Sequence, residues 1–137
     1  MPKLSQLEIG QQLPGRQYQA TNVSLFLYNA AVWNAHRIHY DESYTRDVEH
    51  HPAVVIDGPL QGDWLTQVAL DWLGDDGHLV EFEYTNRRAS YLGQTLTAGG
   101  SIGTIDLAQG LVTLELHITD ETNQVTTPGR AVVKLAS

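Results

Sequence analysis

Residues 57–77 read Asp57-Gly58-Pro59-Leu60-Gln61-Gly62-Asp63-Trp64-Leu65-Thr66-Gln67-Val68-Ala69-Leu70-Asp71-Trp72-Leu73-Gly74-Asp75-Asp76-Gly77, and this stretch decides the fold. Leu60, Trp64, Leu65, Val68, Ala69, Trp72 and Leu73 follow helical spacing over almost four turns. Pro59 suits the first helical position with Gly58 before it as cap, and Gly74 to Gly77 stops the helix. A wide apolar stripe carrying two tryptophans predicts a helix packed hard against a sheet.

That sheet follows in the chain, where the period changes from helical to alternating. Val80, Phe82 and Tyr84 alternate with Glu81, Glu83 and Thr85, and Val112, Leu114, Leu116 and Ile118 alternate with Thr113, Glu115, His117 and Thr119. Between them Gln94 to Asp106 is a Thr/Ile-bearing stretch whose Gly99-Gly100 pair suits a bulge. Ala108-Gln109-Gly110 and Asp120 to Asn123 are turn chemistry joining antiparallel neighbours. Thr126 to Leu135 supplies a last strand, which Pro128-Gly129 predicts to be bulged or at an edge. Before the long helix, after a polar lead-in, Asn22 is placed to cap a helix with one buried stripe of Val23, Phe26, Leu27, Ala30 and Ala31, ending near Trp33. Asp41 caps a short polar turn from Glu42 to Asp47, His50-His51-Pro52 breaks it, and Ala53 to Ile56 is an extended lead into the long helix. The expected class is α+β: two helices, then an antiparallel meander of three or four strands with one face under the long helix.

Composition narrows the function. At 137 residues with 42% apolar content, the chain suits one domain, 1–137, with a core that needs no staples. Eight Lys+Arg against 16 Asp+Glu give a formal charge of −8, which repels nucleic-acid phosphates and anionic membrane surfaces. The chain has no cysteine, so thiolate nucleophiles, disulfides and cysteine-based zinc sites are excluded. Met1 to Ser5 lack a signal-peptide apolar stretch, and no run approaches the ~20 apolar residues of a membrane span, so a cytoplasmic protein is expected.

The chemistry concentrates in Asn34-Ala35-His36-Arg37-Ile38-His39-Tyr40-Asp41. Two imidazoles, a guanidinium, a carboxylate and an amide are the wrong composition for a core and suit the lip of a reaction site. The mouth of the long helix, with backbone N–H groups free to face a ligand oxygen, adds an oxyanion site. The same residues have plainer uses: His39 as a partly buried histidine bonded to a loop carbonyl, Asn34 as a left-handed helix C-cap, Asp57 as an acid favoured by the helix dipole, and His36 and Arg37 as solvent-facing polar groups. Four imidazoles, His36, His39, His50 and His51, fall in a short span, but no Cys or Glu-bearing helix motif completes a set, and no metal is expected.

Trp33-Asn34-Ala35-His36-Arg37-Ile38-His39-Tyr40-Asp41 and Val54-Val55-Ile56-Asp57-Gly58-Pro59-Leu60, with the helix and strand after them, resemble the MaoC-like hot-dog hydratases and dehydratases. The resemblance is strongest to the branch of mesaconyl-CoA hydratases and type 2 hydroxyacyl-thioester dehydratases. The wider family's signature is G-D-x-N-P-x-H, whose Asp and His form the acid/base pair. Aligned on its histidine, the signature puts Trp33, Asn34, His36, Arg37 and His39 at its Gly, Asp, Asn, Pro and His. Two departures stand out: an amide, Asn34, occupies the acid's place in the wider family's signature, a form usual in the mesaconyl-CoA hydratase branch, and Asp57 stands where that branch usually has His before Gly-Pro-Leu.

The resemblance implies an antiparallel sheet wrapped around a long central helix, pairing as a homodimer, and hydration of enoyl thioesters or dehydration of 3-hydroxyacyl thioesters, on CoA or an acyl carrier, without metal or redox cofactor. His39 would then be general base in hydration and acid in dehydration, Asn34 would fix the water, and the Gly58 N–H would polarise the thioester carbonyl. His36 or Asp57 would supply a second proton relay, and Arg37, Arg87 and Arg88 would meet substrate, the last two at its phosphates. Asn34 and Asp57 also admit a non-catalytic thioester-binding subunit that stabilises an active partner, and the fold admits a thioesterase.

Overall fold

The computed structural model describes residues 2–136. In chain order they form strand β1 (Arg16–Tyr18), helix α1 (Asn22–Ala31), the short helix α2 (Glu42–Asp47), the long helix α3 (Gly58–Leu73), and strands β2 (Gly77–Tyr84), β3 (Leu96–Asp106), β4 (Leu111–Thr119) and β5 (Val125–Leu135). The strands make one antiparallel sheet in the order β1-β3-β4-β5-β2. Helix α3 lies across it, touching β2, β3, β4 and β5. Leu65, Val68, Ala69 and Leu73 are buried against Leu96, Ala98, Ile102, Val112, Leu114, Leu116, Ile118, Ala131 and Val133. Each fully buried side chain of this kind contributes about 1.5–3 kcal/mol, so the helix and sheet fix one another before any loop is considered. Gly62 is part of that fit, because a Cβ there would come within 2.6 Å of the Tyr84 ring.

The strand bearing Phe82 begins at Gly77 and contains a register shift between Leu79 and Glu81, which turns Val80 outward and gives its place to Leu79. β2 does not join a meander with β3. It pairs with β5 at the far edge, and the segment after it crosses to start β3 on the other side. β5 is therefore interior, between β4 and β2, correcting the edge assignment. Its irregularity lies at Thr126, where the pairing steps from Ile118↔Thr127 to Thr119↔Val125, and Pro128 falls one residue beyond the last β2 pair, Tyr84↔Gly129. The polar lead-in holds a strand that composition hides: β1 edges β3, with Tyr18 stacked on Trp64 at 4.4 Å and its hydroxyl bonded to Gln67 at 2.7 Å.

Helix α1 also differs from expectation. Its cap is Thr21, whose side chain accepts from Ser24 N–H at 3.1 Å in a capping box, with Asn22 already helical. Its inward face is Leu25 and Asn29, whereas Val23, Phe26 and Leu27 are 67%, 60% and 60% exposed. Apolar spacing alone cannot find this face, because an amide at Asn29 has a buried partner that outweighs the apolar count on the other side.

Candidate active site

Two helix ends converge to make the site. α1 stops in a reversal in which Trp33 N–H reaches Ala30 O at 3.4 Å and Asn34 N–H reaches Asn29 O at 3.0 Å, the paired bonds of a Schellman motif. The left-handed residue this motif requires is Trp33, φ 57°, and not Asn34 as its amide suggests. A glycine is the usual occupant, and Trp33 stands at the signature's glycine position. The reversal turns Asn34 back beneath α1, where its Oδ1 accepts from His36 N–H at 3.0 Å and its Nδ2 makes a long 3.4 Å contact to Asp57 Oδ2.

Asp57 is the N-cap residue of α3, so Gly58 is its first helical residue and Pro59 its second, one place later than the sequence suggests. Its side chain makes no capping bond and is fully buried. The carboxylate instead receives Asn29 Nδ2 on Oδ1 at 3.0 Å, and His39 Nε2 stands 3.5 Å from Oδ2. His39 is held from the other side: it ends a single helical turn, Arg37–His39, and its Nδ1 lies 2.7 Å from Val55 O. A carbonyl only accepts, so Nδ1 carries the hydrogen and Nε2 is the nitrogen left to exchange a proton. The loop is pinned by Val55 N–H to Ile38 O at 2.9 Å and by the Thr45 hydroxyl to Asp41 O at 2.6 Å.

Not every polar residue named from the sequence joins this cluster. His36 is exposed beside Glu49, 3.6 Å from its carboxylate, and meets His39 only edge-on at 5.7 Å between ring centres. Arg37 is held by Asp41 Oδ2, through Nη2 at 2.8 Å and Nε at 3.1 Å, and lies 4.1 Å over the Tyr44 ring. The Tyr44 N–H, and after it this Arg37 pairing, hold the Asp41 carboxyl below the ordinary carboxylate range. Arg87 and Arg88 are exposed, both bonded through backbone N–H to Thr126 O. They follow Asn86, whose side-chain amide covers Gly58 so closely that a Cβ at Gly58 would run into it. Two residues the sequence reading missed therefore border the site: Asn29, hidden as a polar interruption of an apolar stripe, and Asn86, which only the tertiary approach to Gly58 brings into view.

An open hollow of about 310 Å³ lies over the Asn34 side of this cluster, lined by Phe26, Ala30, Trp33, Ala35 and Tyr40 with Asn29 and Asn34. Among the described residues no group of three or more His, Asp or Glu is placed to hold a metal ion, and no helix is long and apolar enough to cross a membrane.

A family model described as hydroxyacyl-thioester dehydratase type 2 matches residues 5–92. The chain is 44% identical over 45 residues to mesaconyl-C(4)-CoA hydratase of Chloroflexus aurantiacus, covering 33% of this chain and 16% of that protein. It is 24% identical over 110 residues to the mitochondrial hydroxyacyl-thioester dehydratase type 2 of Saccharomyces cerevisiae, covering 80% of this chain and 38% of that one. Both matches thus span well under half of the relative's length. Among solved structures, an (R)-hydratase from A. caviae involved in PHA biosynthesis superposes with a TM-score of 0.86 at 17% identity, covering 96% of this chain and 98% of that one. The fold is the hot-dog fold, a curled antiparallel sheet around one central helix, as the resemblance implied.

Proposed function

The chain belongs to the hydroxyacyl-thioester dehydratase type 2 family, and from that premise we propose that it hydrates enoyl thioesters, or dehydrates 3-hydroxyacyl thioesters, carried on CoA or an acyl carrier. The observation that supports this most is the histidine fixed between a carbonyl and a carboxylate, with His39 Nδ1 2.7 Å from Val55 O and Nε2 3.5 Å from Asp57 Oδ2. In hydration, water attacks the β-carbon and gives its proton to His39 Nε2, while the electron pair of the double bond moves toward the thioester oxygen. The imidazolium returns a proton to the α-carbon, and dehydration runs the same steps backwards.

Asp57 has no exposed surface, so it acts through His39, stabilising the imidazolium and serving as the relay that His36, at the surface, is less suited to be. Asn34 Nδ2 keeps one N–H beyond its contact to Asp57, and this orients the attacking water. The Gly58 N–H, at the positive end of α3, meets the developing oxyanion; one such preorganised donor contributes on the order of 3 kcal/mol. Arg87 and Arg88, next to Asn86 at the helix mouth, meet the phosphates of the carrier. The proposal includes a homodimer with each site completed at the subunit boundary.

Purified protein offered a panel of enoyl-CoAs, mesaconyl-CoA and crotonyl-CoA among them, tests this reading. Loss of enoyl absorbance with the thioester intact is expected. Release of free CoA would instead mean a thioesterase, and no conversion of any member would favour the non-catalytic thioester-binding subunit, for which the amide at Asn34 is the supporting feature.

A further inference from the structure

Asn29 is the one member of the buried cluster with no counterpart among the expected catalytic groups, and its bonding is unusual. Its Nδ2 donates to Asp57 Oδ1 at 3.0 Å and to Leu25 O at 2.7 Å, which uses both hydrogens. Its Oδ1 is buried with no partner. Its own backbone carbonyl accepts the Asn34 N–H at 3.0 Å. One residue thus fixes Asp57, which faces His39, by its side chain and Asn34, which bonds the same carboxylate, by its main chain.

We propose that Asn29 is a positioning residue for the acid/base chemistry, an assignment that rests on reading His39 as the acid/base. By occupying Oδ1 it settles which carboxylate oxygen is left for His39 and Asn34, and it holds that oxygen still while the imidazole changes charge. The amide makes its bond to Asp57 at the cost of an acceptor, its Oδ1, that has no protein partner, and such atoms are uncommon in native structures. A leucine would fill the same space without one. Stability given up at a buried position is characteristic of residues kept for function.

The arrangement also provides for a buried carboxylate at position 57. A charge with no exposed surface needs donors, and α1 delivers one from Asn29 while its terminal reversal delivers another from Asn34. Of the titratable groups around the cluster, His36 meets the His39 ring edge-on at 5.7 Å, and the Tyr28 phenol, within electrostatic reach of Asp57, is raised above its ordinary value first by burial and then by Asp63, Asp57 and Tyr84.

The test compares Asn29→Leu and Asn29→Asp with wild type, each also in the Asp57→Asn background. Two measurements are made: steady-state kinetics on crotonyl-CoA and the imidazole ¹⁵N NMR titration of His39 without substrate. Asn29→Leu should lower kcat about 10- to 100-fold with KM little changed, and should move the His39 titration; neither effect should appear once Asp57 is Asn. Asn29→Asp, of the same size, should lose activity at neutral pH and regain part of it in acid, where a protonated carboxyl again donates to Asp57. Wild-type kcat with an unmoved titration in Asn29→Leu, or equal effects with and without Asp57, would overturn the assignment. Because the NMR titration needs no turnover, it decides the role of Asn29 even if no enoyl thioester is converted.

Discussion

Asn34 Nδ2 meets Asp57 Oδ2 at 3.4 Å, joining residues 23 apart in the chain. These are the two positions that depart from the family's pattern, one an amide in place of an acid and the other an acid in place of a histidine. Their contact sets a buried carboxylate at the helix mouth, with His39 Nε2 3.5 Å from the same oxygen. Asp57→Asn should therefore lower kcat about 100- to 1000-fold, and the exchanged pair Asn34→Asp with Asp57→Asn should recover at least a tenth of the loss. Steady-state kinetics on an enoyl-CoA check this; an exchanged pair no better than Asp57→Asn alone would show that location matters more than charge.

Trp33 should be replaceable to advantage. It is 93% exposed and left-handed at φ 57°, so its indole contributes little packing while its Cβ strains the reversal. Trp33→Gly is expected to raise stability by about 1 kcal/mol, read as an increased Tm. Trp33 also lines the hollow beside Asn34, so the same variant should raise KM on an enoyl-CoA without lowering kcat.

The pH dependence of stability should carry a contribution from Asp41. Its carboxyl is held below the ordinary aspartate range by the Tyr44 N–H first and by Arg37 second. A depressed native value means the stabilisation is present above the unfolded-state value and is lost as pH falls through the native one. Asp41→Asn keeps a capping oxygen and removes the titration, so its denaturation midpoint should fall less steeply than wild type below about pH 4.

A side chain at Gly58 should cost stability while Asn86 is present, because the Asn86 amide must swing away to admit it. Gly58→Ala brings its Cβ against the Asn86 amide, and such overpacking costs about 1–3 kcal/mol. Adding Asn86→Ala removes the obstructing atoms and should restore Tm. Because the Gly58 N–H survives in the double variant, kcat on an enoyl-CoA should return with Tm if that N–H is the oxyanion donor.

Much of this was legible in the sequence for identifiable reasons. Helix α3 is long, capped and bordered by glycine, and β4 alternates without interruption, so local signals agree with tertiary packing. His39 and Gly58 stand out by motif and by helix-start chemistry. Helix α1 misleads because Leu25 and Asn29 set its inward face through a single buried bond to Asp57, which no periodicity records. Val80 misleads because a bulge changes which side of β2 it faces, and β5 because strand order follows from pairing partners distant in the chain. Asn29 and Asn86 are invisible for the same reason: their importance lies in what α3 brings next to them.

The most direct measurement is enoyl absorbance at fixed protein concentration for wild type and His39→Ala, with folding checked by circular dichroism and the thioester followed by free-thiol release. Wild type should consume an enoyl-CoA with no thiol released, and a folded His39→Ala should fall by at least about 100-fold. Equal rates in the two proteins would contradict the placement of the reaction at His39.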